Sequence, residues 1–185
     1  MTNELQEAFK ALKRLKEGNE RYLKAEQNGG DISPRRRLFT SQNGQSPYAV
    51  IVGCADSRVI PESIFSASIG ELFVIRAAGN VLDQFALGSV EYAVEHLHAK
   101  LVVVMGHTGC GAVGAAHGQN SGYLKYITDE IKGAIGSEKD GEKASILNAK
   151  HSAEKIKSIL SHAEDVLVIS ALYHTDSGAV DFFEE

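Results

Sequence analysis

The chain has 185 residues, 43% of them hydrophobic and 23% charged, which is the length and composition of one soluble globular domain. A formal net charge of −5 argues against nucleic acid as a partner, because nucleic-acid-binding proteins present basic faces. The apolar stretches fall far short of the roughly 20 residues that cross a bilayer and the first residues carry no signal-peptide core, so we expect no membrane partner and a location in the cytoplasm.

The first segment is predicted to be an amphipathic helix. Apolar residues recur every three or four positions from Asn3 to Glu26, and Asn28 with two glycines after it indicates the end of the helix. A polar connection follows. The basic run Arg35–Arg37, directly after Pro34, is expected to lie in a loop that is solvated or contacts another subunit.

Four apolar runs are predicted to be strands, because short continuous apolar runs are typical of strands buried on both faces. These runs cover residues 48–53, 71–76, 100–105 and 165–172, and a last edge strand is expected over 179–183. Helical periodicity is found over residues 84–98, 112–117, 123–135 and 145–162. Strands that alternate with helices predict an α/β fold with a mostly parallel sheet flanked by helices.

Chemically active side chains follow two of these strands. Such sheets bind ligands just beyond the carboxyl ends of their strands. Cys54 comes at the end of the first strand, and His107 and Cys110 follow the third. Two thiolates and one imidazole suit zinc, and three protein ligands leave one tetrahedral position open, which is the arrangement of a catalytic site.

A carboxylate and a guanidinium lie next to the first cysteine. Asp56 and Arg58 are two residues apart, so in an extended segment they point the same way and can form a bidentate pair. Asp56 is itself a potential fourth ligand, and Arg58 can hold it away from the metal.

Two other interpretations of the same residues stay open. Residues 109–114 match the G-x-G-x-x-G pattern of dinucleotide-binding loops, although they follow the third strand rather than the first. Either cysteine can alternatively act as a nucleophile with His107 as its base. A shared metal ion explains the convergence of two cysteines and one histidine more economically.

Long motifs in the chain resemble those of the β-class carbonic anhydrases. The matching stretches are GCADSRVIPESIF at 53–65, GELFVIRAAGNV at 70–81, GSVEYAVEHL at 88–97, LVVVMGHTGCGAV at 101–113 and, more weakly, ALYHTDSGAVDFF at 171–183. With the N-terminal helix, the resemblance spans nearly the whole chain. It implies a four-stranded parallel core with an antiparallel edge strand and an N-terminal helical arm.

The resemblance also implies the residues of the active site. Cys54, His107 and Cys110 match the family's ligands for one Zn²⁺ per chain. Asp56 and Arg58 match its catalytic dyad. The positions that match its substrate-binding residues are Gln45, Phe73, Tyr92 and Gly111, and part of this pocket comes from a neighbouring subunit in the family.

The implied function is the reversible hydration of carbon dioxide to bicarbonate and a proton, by attack of zinc-bound hydroxide. The implied organisation is a single domain over residues 1–185, in which the arm at residues 1–30 packs on a neighbouring subunit of a homodimer, a homotetramer or a larger dimer-based assembly. Two alternatives stay open: hydrolysis of carbon disulfide or carbonyl sulfide at the same zinc site, and a catalytically silent zinc-binding protein.

Overall fold

The structure is a computed structural model that describes residues 5–24 and 29–184. The strands are β1 (Ala49–Cys54), β2 (Leu72–Ala77), β3 (Leu101–His107), β4 (Leu167–Tyr173) and β5 (Val180–Phe183). The helices are α1 (Gln6–Lys24), α2 (Pro34–Asn43), α3 (Pro61–Ile64), α4 (Gln84–Glu95), α5 (Gly111–Ala115), α6 (Leu124–Ile135) and α7 (Gly141–Ile159), and a 3₁₀ turn covers Ala78–Asn80.

The described strands form one sheet in the order β2-β1-β3-β4-β5. The first four are parallel, and β5 pairs antiparallel with β4. This confirms the predicted α/β class and the predicted parallel core with an antiparallel edge strand. Because the parallel strands share one direction, the ends of β1 and β3 lie next to each other at the carboxyl edge of the sheet.

Each face of the sheet is covered by helices, since alternate side chains of a buried strand point to opposite faces. Ile51 and Met105 pack with Leu12 and Leu15 of α1 on one face. The other face packs against α4 and α7, and Val104 of β3 and Ile156 of α7 belong to the apolar cluster between them. Helix α1 thus lies on its own chain, and contact of residues 1–30 with a neighbouring subunit stays a prediction.

Two segments differ from the sequence prediction. The basic run Arg35–Arg37 lies in helix α2, not in a loop. The Ser33 side chain caps this helix by accepting from the Arg36 N–H, and Pro34 occupies its first turn. Both features favour the start of a helix, although the segment has no helical spacing of apolar residues. The short helix α3 was not predicted. The predicted boundaries at Asn3, Glu26 and Asn28 lie outside the described residues.

None of the described helices is both long enough and apolar enough to cross a membrane. A third apolar cluster lies at the carboxyl edge of the sheet, between α5, α6 and the strand ends. It contains Cys54 and Cys110, so the sheet and its helices bury two of the three predicted ligands together.

Candidate metal centre

Two cysteines and a histidine converge at the carboxyl edge. Cys54 ends β1, His107 ends β3, and Cys110 immediately precedes α5. Their ligand atoms all lie within 4.8 Å of one another, and the three residues are buried. Because a tetrahedral zinc ion separates its sulfur and nitrogen donors by about 3.5–3.8 Å, a small adjustment lets these three atoms bind one ion.

The histidine ring is oriented by the neighbouring backbone. Nδ1 of His107 donates to the carbonyl oxygen of Thr108 at 3.0 Å, which leaves Nε2 with its lone pair free. Nε2 is buried and has no hydrogen-bond partner in the described part of the chain. A buried nitrogen without a partner is unfavourable unless something binds it. Its direction and the two sulfurs beside it fit a zinc ion.

The sulfur of Cys54 is surrounded by donors. The backbone N–H groups of Asp56 and Gly79 point at it, with N–S distances of 3.4 and 3.2 Å. The neighbouring Cys110 thiol lowers the pKa of Cys54, against the opposing effect of burial, and His107 and the two N–H groups lower it further. The Cys54 sulfur and burial raise the pKa of Cys110. These opposite shifts favour a thiolate on Cys54, to which a cation can bind.

Asp56 and Arg58 form the predicted bidentate pair, but across a tight turn rather than along an extended segment. Oδ1 of Asp56 accepts from the backbone N–H and from Nε of Arg58 at 2.9 and 3.0 Å, and Oδ2 accepts from Nη2 at 2.7 Å. These bonds hold the pKa of Asp56 well below its usual range, so the carboxylate stays charged. Oδ2 lies 3.9 Å from Nε2 of His107, which places the carboxylate beside the ligand cluster.

Two arginines fix the backbone around the cluster. Arg76, on β2, donates from Nε to the carbonyl oxygen of Cys54 at 3.0 Å and from Nη2 to that of Asp56 at 2.7 Å. Arg58 donates from Nη2 to the carbonyl oxygen of Gly109 at 3.3 Å. Three separate segments are thereby held in register around the three ligands.

The chain is similar to known proteins over most of its length. The family model described as carbonic anhydrase matches residues 49–180, which is well over half of the chain. The chain belongs to the carbonic anhydrase family. Carbonic anhydrase 2 of Mycobacterium tuberculosis is 47% identical to it over 125 residues, which make up 66% of this chain and 60% of that protein's length.

Other relatives match over more of their length. The carbonic anhydrase of Mycolicibacterium smegmatis is 32% identical over 188 residues, with 92% of this chain and 91% of that protein covered. A β-carbonic anhydrase of Aspergillus fumigatus superposes with a TM-score of 0.73 at 28% identity over 80% of both chains. A tetrameric β-carbonic anhydrase of Sordaria macrospora shares the fold, with a TM-score of 0.67 at 23% identity over 81% of this chain and 87% of that chain. The predicted β class is confirmed.

Three of the four predicted substrate-binding residues do not lie near the ligand cluster within one chain. Gln45 lies at the amino edge of the sheet, where its Cα is 3.9 Å from the position that a Cβ on Gly70 would take. Phe73 is the second residue of β2, and its ring centroid is 6.2 Å from that of Tyr92 on α4. The length of β1 separates the two edges by roughly 17 Å, at about 3.3 Å per residue.

The fourth residue does lie at the cluster. Gly111 follows Cys110 directly and begins α5, so its backbone faces the same edge as the ligands. The substrate roles of Gln45, Phe73, Tyr92 and Gly111 remain predictions for this carbonic anhydrase family member.

Some features of the site were not predicted from the sequence. No sequence motif indicates the hydrogen bonds that Arg76 and the N–H group of Gly79 make at the cluster. Both residues nevertheless lie at or just beyond the carboxyl end of β2, the kind of position where the ligands were predicted. A cavity of about 470 Å³ also opens beside this edge, and Ala77, Val81 and Ile127 form part of its wall. Ala77 pairs with Cys54 in the sheet, so the cavity borders the ligand cluster.

Proposed function

We propose that this chain is a zinc-dependent carbonic anhydrase, which converts carbon dioxide and water to bicarbonate and a proton and catalyses the reverse reaction. The observation that carries the proposal is the buried Cys54–His107–Cys110 cluster, with a free Nε2 and the Asp56 carboxylate beside it. Family membership supports the same activity. One Zn²⁺ would be held by these three residues, and zinc acidifies water so that hydroxide is supplied near neutral pH.

Asp56 is positioned to orient the attacking oxygen. Its Oδ2 is the carboxylate atom nearest the cluster, and as a charged carboxylate it accepts a hydrogen bond and donates none. Arg58 keeps it ionised and prevents the carboxylate from turning toward the ligands, because both of its oxygens accept from the guanidinium. We therefore assign the catalytic role to Asp56, with Arg58 as its positioning partner.

Substrate contacts would come from both subunits of a homodimer or of a dimer-based larger assembly. Gly111 lies at the cluster of its own chain, whereas Gln45, Phe73 and Tyr92 need a second chain to reach a cluster. Exposed apolar side chains support such an interface, since Leu38 is 59% exposed and Phe85 is 87% exposed. In this assembly Gln45 would donate to a substrate oxygen, and the two aromatic rings would exclude water from the nonpolar substrate. Residence in the cytoplasm stays a prediction from the sequence.

The proposal is tested by stopped-flow measurement of CO₂ hydration with a pH indicator. We expect rapid hydration by zinc-loaded protein, loss of it after zinc is removed with a chelator, and recovery when zinc is restored. The same protein is assayed with carbon disulfide and carbonyl sulfide, the substrates of the alternative enzyme. Zinc binding at one ion per chain with turnover of a sulfur compound alone, or with no turnover at all, would contradict the proposal.

A further inference from the structure

A buried amide on helix α7 lies next to the turn that follows β2. Asn148 is 1% exposed, and its Nδ2 donates to the carbonyl oxygen of Gly79 at 2.7 Å. The backbone N–H of the same glycine points at the sulfur of Cys54, with an N–S distance of 3.2 Å. A side chain far along the sequence is therefore linked to a ligand atom through a single residue.

The geometry of this turn is demanding. Gly79 has a φ of +67°, and a Cβ placed on it would lie 2.6 Å from Cδ1 of Ile131 and 3.0 Å from Cβ of Ala112. Only glycine fits there, and glycine has little conformational preference of its own. The direction of its N–H group therefore depends on what holds the peptide on either side.

Helix α7 approaches closely enough to hold that peptide. A Cβ on Gly106 would lie 2.9 Å from the carbonyl oxygen of Ser145, so the absence of a side chain at Gly106 lets the helix pack directly on β3. One turn beyond Asn148, Ser152 donates from Oγ to the carbonyl oxygen of Asn80 at 3.3 Å. Asn148 and Ser152 thus both bind this turn, but of the two only Asn148 binds Gly79, whose N–H group points at the Cys54 sulfur.

We propose that Asn148 is a positioning residue of the metal centre, which directs the Gly79 N–H at the Cys54 sulfur and so limits the charge that this ligand gives to the metal. A hydrogen bond to a ligand atom tunes a metal site, and the loss of such a partner typically costs 10–100-fold in metal affinity or activity. The role rests on the proposed zinc site. Asn148 itself does not contact substrate in this role.

The test uses cobalt-substituted full-length protein, because thiolate-to-Co²⁺ charge-transfer absorption reports the charge on the sulfur. Asn148→Leu keeps the number and branching of the side-chain heavy atoms and has no donor. Without the bond the sulfur electrons are less stabilised, so we expect the charge-transfer band to move to lower energy. The turn that positions the Cys54 ligand also loses its support from Asn148, so zinc affinity, measured by competition with a chromophoric chelator, should fall about tenfold. The matched control is Ser152→Ala, which removes the neighbouring bond and should keep the wild-type band.

The outcomes separate the role of Asn148 from the zinc site itself. A folded Asn148→Leu protein with an unchanged band and zinc affinity would overturn the role, as would an equal shift in Ser152→Ala. If leucine prevents folding, Asn148→Ser serves the same comparison, because its side chain is too short to reach the Gly79 carbonyl. Absence of any thiolate-to-Co²⁺ band in the wild-type protein would instead overturn the metal site, and the role of Asn148 with it.

Discussion

The two edges of the sheet are built differently. At the carboxyl edge, His107 is fully buried, and the carboxylate of Asp56 and the sulfur of Cys54 both accept several hydrogen bonds. At the amino edge, Gln45 is exposed and Tyr92 is 47% exposed. One chain thus assembles the proposed zinc ligands by itself, whereas the proposed substrate contacts of Gln45, Phe73 and Tyr92 need a partner. Substitution of a ligand at the carboxyl edge should therefore remove zinc, whereas substitution of a proposed substrate contact at the amino edge should lower turnover and leave zinc bound.

The largest effect is expected from loss of a ligand at the carboxyl edge. His107→Gln leaves two thiols in place of three donors, so bound zinc should fall below about a tenth of an ion per chain and CO₂ hydration should fall to the level of stripped protein. Metal analysis after gel filtration and stopped-flow hydration check this. His162→Gln is the matched control, since His162 is exposed and lies 3.5 Å from Glu95. Full zinc content in His107→Gln would show that the ligand set is wrong.

A smaller effect is expected when the carboxylate beside the cluster loses its charge. Asp56→Asn keeps the shape but no longer accepts hydrogen bonds with both atoms, so hydration should slow about 100-fold. Zinc content should stay at the wild-type level, because Asp56 is not one of the three ligands. The exposed Asp129→Asn, which loses an ion pair with Lys125 on α6, is the control and should keep full activity. Wild-type turnover in Asp56→Asn would refute the assigned role.

At the amino edge, the effect of Gln45→Ala should be confined to turnover. Loss of one hydrogen bond to substrate can cost up to about 1.4 kcal/mol, so hydration should slow roughly tenfold. Zinc content and zinc affinity should not change, since the residue lies at the far end of β1. Gln119→Ala, in an exposed loop, provides the control. A loss of zinc from Gln45→Ala would contradict the separation of the two edges.

The smallest effect concerns acid stability at the amino edge. Burial raises the pKa of Glu71, but the Ser68 N–H and the guanidinium groups of Arg14 and Arg36 hold it below its usual range. The stability that this carboxylate adds is complete above the unfolded pKa of about 4.3 and is lost as the pH falls through the lower folded value. Glu71→Gln should cost less than about 1 kcal/mol at pH 7, because Arg14 is half exposed.

This pH dependence is measured by thermal unfolding of zinc-loaded protein. The difference between wild type and Glu71→Gln should be present at pH 7 and should shrink below about pH 4.3. The exposed Glu164→Gln should show no such difference. A gap between wild type and Glu71→Gln that widens in acid would mean that the sign of the Glu71 contribution is wrong.

Much of the fold and the ligand set could be predicted from the sequence, for physical reasons. The parallel strands are continuous apolar runs buried on both faces, so the observed strands lie within two residues of the predicted bounds. The strand-end rule then brings Cys54, His107 and Cys110 together. Helix α2 was missed because it has no buried face to create a period, although Ser33 and Pro34 mark its start.

The rest depends on contacts that no local pattern encodes. Asn148 lies on an ordinary amphipathic helix, and only the packing of α7 on the sheet brings it to Gly79. The Asp56–Arg58 pair was expected from an extended segment and forms instead across a turn, because the Asp56 side chain also accepts the Arg58 backbone N–H. The amino-edge residues show the limit most clearly, since their proposed place in a pocket depends on a second chain.

Mixed subunits can show whether the zinc site is complete in one chain while its substrate pocket is completed by another. Asp56→Asn and Gln45→Ala chains carrying different affinity tags are co-expressed, and the mixed assembly is purified through both tags. If a partner supplies Gln45, one site in each mixed dimer has both residues, and hydration should reach about half of the wild-type rate. If activity stays at the mean of the two variants, which is about a twentieth of wild type for losses of 100-fold and tenfold, Gln45 does not act across subunits and the pocket is not shared between chains.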